Sequence, residues 1–242
     1  MKCAYADLSK MIDHALLKPT LRMVDLEAGC LMARAYDVAS VCIMPYAVKQ
    51  CADLLDGSNV VPGTTIGFPH GASTTSSKVD QSATALADGC AELDMVINLS
   101  KLLSGDWGYV RAEIQAVVDL AHDHGRRVKV IFENCYLTDD EKIHLCEVCG
   151  DAGADWVKTS TGFGTRGATL EDLRLMRKHS PETVQVKASG GIRTLDALTS
   201  MRAIGVTRIG TSSTQTILDE ARRLLNLPPI DFDRPMSESA GY

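Results

Sequence analysis

The sequence predicts an α/β protein folded as a single-domain (β/α)8 barrel, and three observations carry that prediction. Short β-rich runs alternate with longer amphipathic segments roughly every 25 to 35 residues, the period of βα units on a parallel sheet. The segments "ADGCAELDMV", "HDHGRRVKV", "GDAGADWVKT" and "RAIGVTRIGT" share one layout, in which a helix ends, a glycine follows and a strand begins. The β-rich runs number eight, which is the count that closes such a barrel. A chain of 242 residues, 45% hydrophobic, is long enough to bury one large core.

The predicted strands cover residues 12–15, 38–44, 64–68, 91–98, 128–133, 155–160, 184–188 and 207–211. Gly89, Gly125, Gly153 and Gly205 sit where a left-handed residue closes the preceding helix. "TDDE" at 138–141 has the form of a capping box. Thr169 and Thr194 are placed to cap the helices "LEDLRLMRK" and "LDALTSMRA". Residues 1–225 form the barrel by this reading. Residues 226–242, "NLPPIDFDRPMSESAGY", are rich in Pro, Ser and acidic residues and are expected to leave it as a flexible tail.

The net charge of −6 argues against nucleic acid or an anionic membrane as a partner, though a locally positive site can still take an anionic small molecule. The start, "MKCAYADLSKMIDH", lacks the apolar run of a signal peptide, and no stretch is apolar enough to span a bilayer. A cytoplasmic protein is expected. Its eight cysteines are then reduced and mostly buried. The single tight pair, "CEVC" at 146–149, has no second pair to complete a zinc site.

Three lysines break the apolar pattern of buried strands. "VKV", "VKT" and "VKA" place Lys129, Lys158 and Lys187 29 residues apart. A strand covered on both faces is nearly all apolar, and lysine is rarely buried without a partner. Strand alternation that turns Lys158 inward also turns Trp156 and Ser160 inward. It brings Gln185, Lys187 and Ser189 inside on the next strand, and Lys129, Ile131 and Glu133 on the one before. The fourth strand adds Glu92 and Asp94. Lys129 is expected to pair with Asp94 or Glu133, either as a buried ion pair that fixes register or as an accessory to the site.

Lys158 and Lys187 suit another chemistry. Only roughly one free lysine in a thousand is neutral at pH 7.4, and the neutral amine is what attacks a carbonyl. Burial and a second cation nearby both lower a lysine pKa, by up to several units. Two lysines on neighbouring strands are therefore the arrangement for Schiff-base catalysis, in which one attacks while the other depresses it and moves protons. Spacing alone leaves open which is which. A nearby carboxylate, Asp94, can relay protons. Glycine-bearing turns follow the same strands: "STGFG" at 160–164, "SGGIRT" at 189–194 and "GTSST" at 210–214. Backbone amides in such turns and at helix N-termini bind phosphate, and barrels often hold phosphate after strands seven and eight. The predicted ligand is a phosphorylated carbonyl compound, with Arg193 able to add charge.

The motifs "IDHALLKP", "GFPHG", "AELDMVIN", "VKTSTGFG", "KASGGIRT" and "RIGTSS", in this order, closely resemble those of deoxyribose-phosphate aldolases over residues 11–220 or so. The resemblance implies a (β/α)8 barrel and a class I aldolase that reversibly cleaves 2-deoxy-D-ribose 5-phosphate to acetaldehyde and D-glyceraldehyde 3-phosphate. It implies that Lys158 forms the Schiff base, that Lys187 is the perturbing and proton-handling lysine, and that Asp94 is the relay acid/base. Gly162, Gly190, Gly191, Gly210, Ser212 and Ser213 match phosphate-binding positions, and Asp13 and Cys42 match positions that line the pocket. No cofactor and no metal is implied. The partners expected are the sugar phosphate and aldehydes, with assembly into a homo-oligomer, a dimer.

Three residues depart from the family pattern. Met44 stands where members commonly carry Asn, and Arg166 where they carry Gly; both are expected at the pocket rim. Thr214 replaces a Gly and is expected to tighten the phosphate loop. Rival readings are another Schiff-base or transaldolase-like barrel, a metal-dependent aldolase and a non-catalytic sugar-phosphate binder. The second needs clustered ligands, and only "HDH" at 122–124 brings two histidines close, at a helix end on the opposite face. The terminal Tyr242 carries a phenol, and some members of the resembled family end in tyrosine on a mobile tail; it is an accessory candidate for proton exchange.

Overall fold

Eight parallel strands pair in chain order and close on themselves, β8 returning to β1, in the computed structural model, which describes residues 3–232. They are β1 (Ile12–Leu16), β2 (Ser40–Ile43), β3 (Val61–Ile66), β4 (Glu92–Val96), β5 (Arg127–Ile131), β6 (Trp156–Lys158), β7 (Gln185–Ser189) and β8 (Arg208–Thr211). Helix α1 (Ala6–Ser9) precedes β1. The crossovers carry α2 (Met23–Ala35), α3 (Val48–Leu55), α4 (Thr75–Ala87), α5 (Leu99–Leu103) with α6 (Trp107–Asp123), α7 (Asp139–Asp151), α8 (Leu170–His179) and α9 (Leu195–Ala203). Helix α10 (Thr214–Leu224) follows β8.

Each predicted strand overlaps an observed one. The largest displacement is β3, which begins three residues before the predicted start. Its first residues are Val61, Pro62 and Gly63, and the last two have poor strand propensity. They are held by pairing instead: Pro62 and Gly63 stand opposite Val41 and Cys42, and the Pro62 carbonyl accepts from the Ala91 N–H at 2.8 Å.

Helix ends follow the sequence signals. Thr169 and Thr194 accept from the N–H groups of Asp172 and Ala197 at 3.1 and 3.2 Å. Thr138 and Glu141 cap each other's backbone. Gly89, Gly125, Gly153 and Gly205 all have positive φ. Outward-facing strand residues such as Leu93, Val128, Val130, Val157, Val186 and Ile209 pack under the helices and are fully buried. That apolar layer supports the barrel, so the interior is free to be polar.

After α10 the chain stays attached as far as it is described. The Arg222 guanidinium donates twice to the Pro228 carbonyl, at 2.9 and 2.6 Å, and Ile230 and Phe232 pack against the core. Tyr242 lies outside the described residues. Among them, no helix is long and apolar enough to cross a membrane.

Candidate active site

Register places the two central lysines side by side. Lys158 on β6 is the partner of Lys187 on β7. Lys129, in contrast, stands opposite Trp156, two residues nearer the amino end of the sheet than Ile131, which faces Lys158. The equal spacing in sequence thus hides a stagger between barrel strands. Lys158 and Lys187 share a level, and Lys129 lies beneath them.

Asp94 on β4 joins all three. Its Oδ2 accepts from Lys158 Nζ at 2.7 Å and from Lys187 Nζ at 2.6 Å, and its Oδ1 from Lys129 Nζ at 2.9 Å. Asp13 on β1 accepts from Lys187 Nζ at 2.5 Å, and Ser40 donates to its other oxygen at 2.6 Å. Below, Arg208 on β8 reaches Asp13 at 2.5 Å and grips Glu92 with both nitrogens, at 2.7 and 3.2 Å. Lys129 also meets Glu92 at 2.6 Å. Trp156 lies against this lower group, its ring centre 4.8 Å from the Arg208 guanidinium and 5.6 Å from Lys129 Nζ.

The lysines differ in what these contacts do to them. Burial pushes the Lys158 amine down from the ordinary lysine pKa; Asp94 opposes this, and neighbouring Lys187 adds to it. Burial also works against the charged form of Lys187, but Asp13 and Asp94 outweigh it and raise that amine. Lys129 is raised further, because Asp13, Asp94 and Glu92 together outweigh its burial. Burial would protonate Asp94, but Lys129, Lys158 and Lys187 hold it well below the ordinary carboxylate range. The site therefore sets two lysines charged, one carboxylate ionised and Lys158 biased toward the neutral amine.

Above them opens a cavity of about 590 Å³. Lys158, Lys187, Asp13 and Cys42 reach it from the barrel, and the turns holding Gly162, Gly190, Gly191, Gly210, Ser212 and Ser213 also line it. The two lysines, Asp13, Cys42 and the six residues matched to phosphate-binding positions thus surround one cavity. Space at Gly210 is tight, since a Cβ there would lie 3.3 Å from Lys187 Cε and 3.0 Å from Ser189 Cβ. Gly190 and Gly191 have φ of 87° and 78°, which turn their backbone under the cavity. Thr211 ties two of the loops together, donating to the Ile192 carbonyl at 2.6 Å and accepting from the Ser213 N–H at 2.9 Å. Ser213 is the N-cap of α10 but makes no capping bond with its side chain, so the hydroxyl is available to a ligand.

Other expectations need correction. Glu133 is buried but pairs with no lysine among the described residues; it has left-handed φ and accepts from the Thr161 backbone and hydroxyl, bracing the loop after β6. Met44 and Arg166 are not among the residues lining the cavity: Met44 precedes the short helical turn Pro45–Ala47 after β2, and Arg166 is exposed in the loop after β6. Thr214 points away from the phosphate loop: its hydroxyl bonds His14 Nδ1 at 2.9 Å, fastening the start of α10 to β1. His122 bonds Asp155 at 3.0 Å near the amino end of β6, and Cys146 and Cys149 are buried in α7. No cluster fit to hold a metal is found among the described residues. Burial pushes the Cys42 thiol up to about 11, so it is not a thiolate at neutral pH.

Sequence reasoning passed over several cavity residues. Lys18 and Leu21 line one side, and Phe163 stands edge-on to Phe68 of "GFPHG" with ring centres 5.3 Å apart. It also missed Arg208, although a charged residue in the eighth buried run is the same signal that exposed the lysines.

Comparison with known proteins agrees with this architecture. A family model described as DeoC/LacD family aldolase matches residues 7–213. The chain is 55% identical to a deoxyribose-phosphate aldolase of Rhodopirellula baltica, over 98% of each chain. It is 49% identical to one from Thermococcus gammatolerans, covering 89% of this chain and 97% of the other. Among solved structures it resembles the tetrameric deoxyribose phosphate aldolase of Aeropyrum pernix, with a TM-score of 0.84 and 32% identity, over 91% of this chain and 93% of that one. These likenesses run through the whole barrel and not through isolated motifs, and on that ground the chain belongs to the DeoC/LacD family of aldolases.

Proposed function

We propose that this protein is a class I deoxyribose-phosphate aldolase in which Lys158 carries the substrate as an imine. The observation that carries the reading is one oxygen, Asp94 Oδ2, accepting from both Lys158 and Lys187 at the floor of the cavity. A lysine biased toward its neutral form beside one held charged is what carbinolamine chemistry needs. Lys158 attacks the aldehyde carbon of open-chain 2-deoxy-D-ribose 5-phosphate. Lys187 and Asp94 move the protons that let water leave. Loss of the C3 hydroxyl proton then breaks the C2–C3 bond, releases D-glyceraldehyde 3-phosphate and leaves the electron pair in an enamine. Protonation at C2 and hydrolysis free acetaldehyde and restore the amine.

The phosphate belongs to the turns around Gly162, Gly190, Gly191, Gly210, Ser212 and Ser213, with the N-terminus of α10 directed at it. Asp13 and Cys42 line the cavity, and Lys129 supports Asp94 from below. No cofactor enters this scheme. The reading also includes a cytoplasmic location and a homo-oligomer, a dimer; the Aeropyrum pernix enzyme is described as a tetramer. Sedimentation of the purified chain tests the assembly.

Borohydride reduction in the presence of acetaldehyde tests the chemistry. The expected result is a mass gain of one reduced two-carbon unit, mapped to Lys158. An unmodified protein, or an adduct on another lysine, overturns the assignment.

A further inference from the structure

Seven charged groups face one another inside the barrel, and they do not balance. The carboxylates are Asp13, Glu92 and Asp94; the cations are Lys129, Lys158, Lys187 and Arg208; no side chain among them is more than 9% exposed. Two further titratable groups border Lys158. Cys42 faces it from β2 as a neutral thiol, and Glu133 at the end of β5 is engaged by Thr161, with no cation within 4 Å among the described residues.

An uncompensated buried charge is costly, so such a cluster favours equal numbers of each sign. Three carboxylates match three cations, and one base is surplus. A guanidinium does not give up its proton, so the surplus must fall on a lysine. Geometry decides which. Lys129 lies within 4 Å of three carboxylates, at 3.4, 2.6 and 2.9 Å. Lys187 meets two, at 2.5 and 2.6 Å. Among the described residues Lys158 meets only Asp94, at 2.7 Å, through the oxygen that Lys187 also uses.

Arg208 creates this shortage. It holds Glu92 in a two-point grip and takes one oxygen of Asp13. Without it, Lys129 and Lys187 would have to themselves the Glu92 and Asp13 carboxylates that they now share with Arg208, at 2.6 and 2.5 Å, and Asp94 would be left to hold Lys158 as an ammonium. We propose that Arg208 is a positioning residue for the aldolase reaction: by sharing Glu92 and Asp13 it leaves Lys158, of the three lysines in this cluster, the one with no carboxylate of its own among the described residues, and so the one left uncharged. The proposal rests on Lys158 being the imine-forming lysine.

The test is the pH dependence of borohydride trapping with acetaldehyde, measured on the full chain. Arg208→Met turns four cations against three acids into three against three. Its trapping profile should move to higher pH by about one unit or more, read as a roughly tenfold loss at neutral pH that alkaline pH restores. Glu92→Gln leaves four cations against two acids and should move the profile the other way. The double variant, Arg208→Met with Glu92→Gln, restores one surplus cation and should return the profile toward that of the unaltered chain. A packing role for Arg208 predicts no such rescue, because the second change removes another partner from the same network. If Arg208→Met does not fold, the direction of the Glu92→Gln shift decides alone. A lowered plateau at an unchanged midpoint in Arg208→Met, an alkaline shift in Glu92→Gln, or a double variant no better than Arg208→Met overturns the proposal. An unaltered chain that cannot be trapped at all sinks the Schiff-base reading first, and this one with it.

Discussion

Lys158 and Lys187 are register partners on β6 and β7, and both donate to a single oxygen of Asp94, at 2.7 and 2.6 Å. One carboxylate oxygen cannot neutralise two ammonium groups. Lys187 has a second carboxylate in Asp13, 2.5 Å away, and Lys158 has none among the described residues. The asymmetry that catalysis needs is therefore set by the neighbours of the two amines and not by their depth, since both are almost fully buried.

Lys158→Arg should abolish both trapping and cleavage. A guanidinium stays protonated and cannot form the imine. Product release from deoxyribose 5-phosphate, assayed beside a melting curve to confirm folding, checks this. Cleavage above a few per cent of the unaltered rate would place the nucleophile elsewhere.

Lys187→Leu should cost about two orders of magnitude in kcat at neutral pH, the usual scale for loss of a positioned proton-transfer group. Two changes act together. The neighbouring cation that helps lower the Lys158 amine is lost, and Asp94 is left to raise it. Both raise the Lys158 pKa, so the neutral amine appears only at higher pH and part of the rate should return there. A pH–rate profile that keeps its midpoint would show that Lys187 does not tune Lys158.

Much of this site was legible in the sequence because it violates a pattern. Lysines and acids in otherwise apolar strands stand out, and strand alternation alone turns Asp94, Lys129, Lys158 and Lys187 to one side. What stayed hidden depends on closure. The stagger that sinks Lys129 beneath Lys158 is a property of pairing, and equal spacing gives no hint of it. The His14–Thr214 bond joins residues from opposite ends of the chain, and it exists only because β8 returns to β1. Met44 and Arg166 follow the strand ends, where one turn of chain decides whether a side chain meets the cavity or passes it.

His14 should make the fold sensitive to mild acid. It is fully buried with Nε2 unpartnered, and burial lowers its pKa to about 4 from 6.5. Between those values the unfolded chain binds a proton that the folded chain refuses. Its contribution is present above pH 6.5 and lost as pH falls toward 4, amounting to about 2 kcal/mol by pH 5. Asp13 and Asp94 titrate below this window and leave it undisturbed. Urea unfolding at pH 7.5 and pH 5 measures the difference. His14→Asn, which cannot titrate, should lose less stability over that interval than the unaltered chain; an equal loss in both would assign the acid sensitivity to other groups.

The phosphate assignment is tested at Gly191. A Cβ added there meets nothing within 4 Å, so a side chain fits, but the φ of 78° strains any residue with a Cβ. That strain costs about 1–2 kcal/mol and is shared by every substitution. Gly191→Ala therefore reports the strain alone, and Gly191→Asp adds a negative charge at the proposed phosphate site. A carboxylate about 4 Å from a phosphate repels it by roughly 4 kcal/mol per unit charge near a protein surface, before salt screening. Gly191→Asp should raise KM for deoxyribose 5-phosphate at least tenfold beyond Gly191→Ala while leaving KM for unphosphorylated deoxyribose close to that of the Ala variant. High salt should narrow the gap, because repulsion between partly exposed charges is screened. If the two variants bind the phosphorylated substrate alike, the phosphate does not approach Gly191, and the loop after β6 around Gly162 becomes its place.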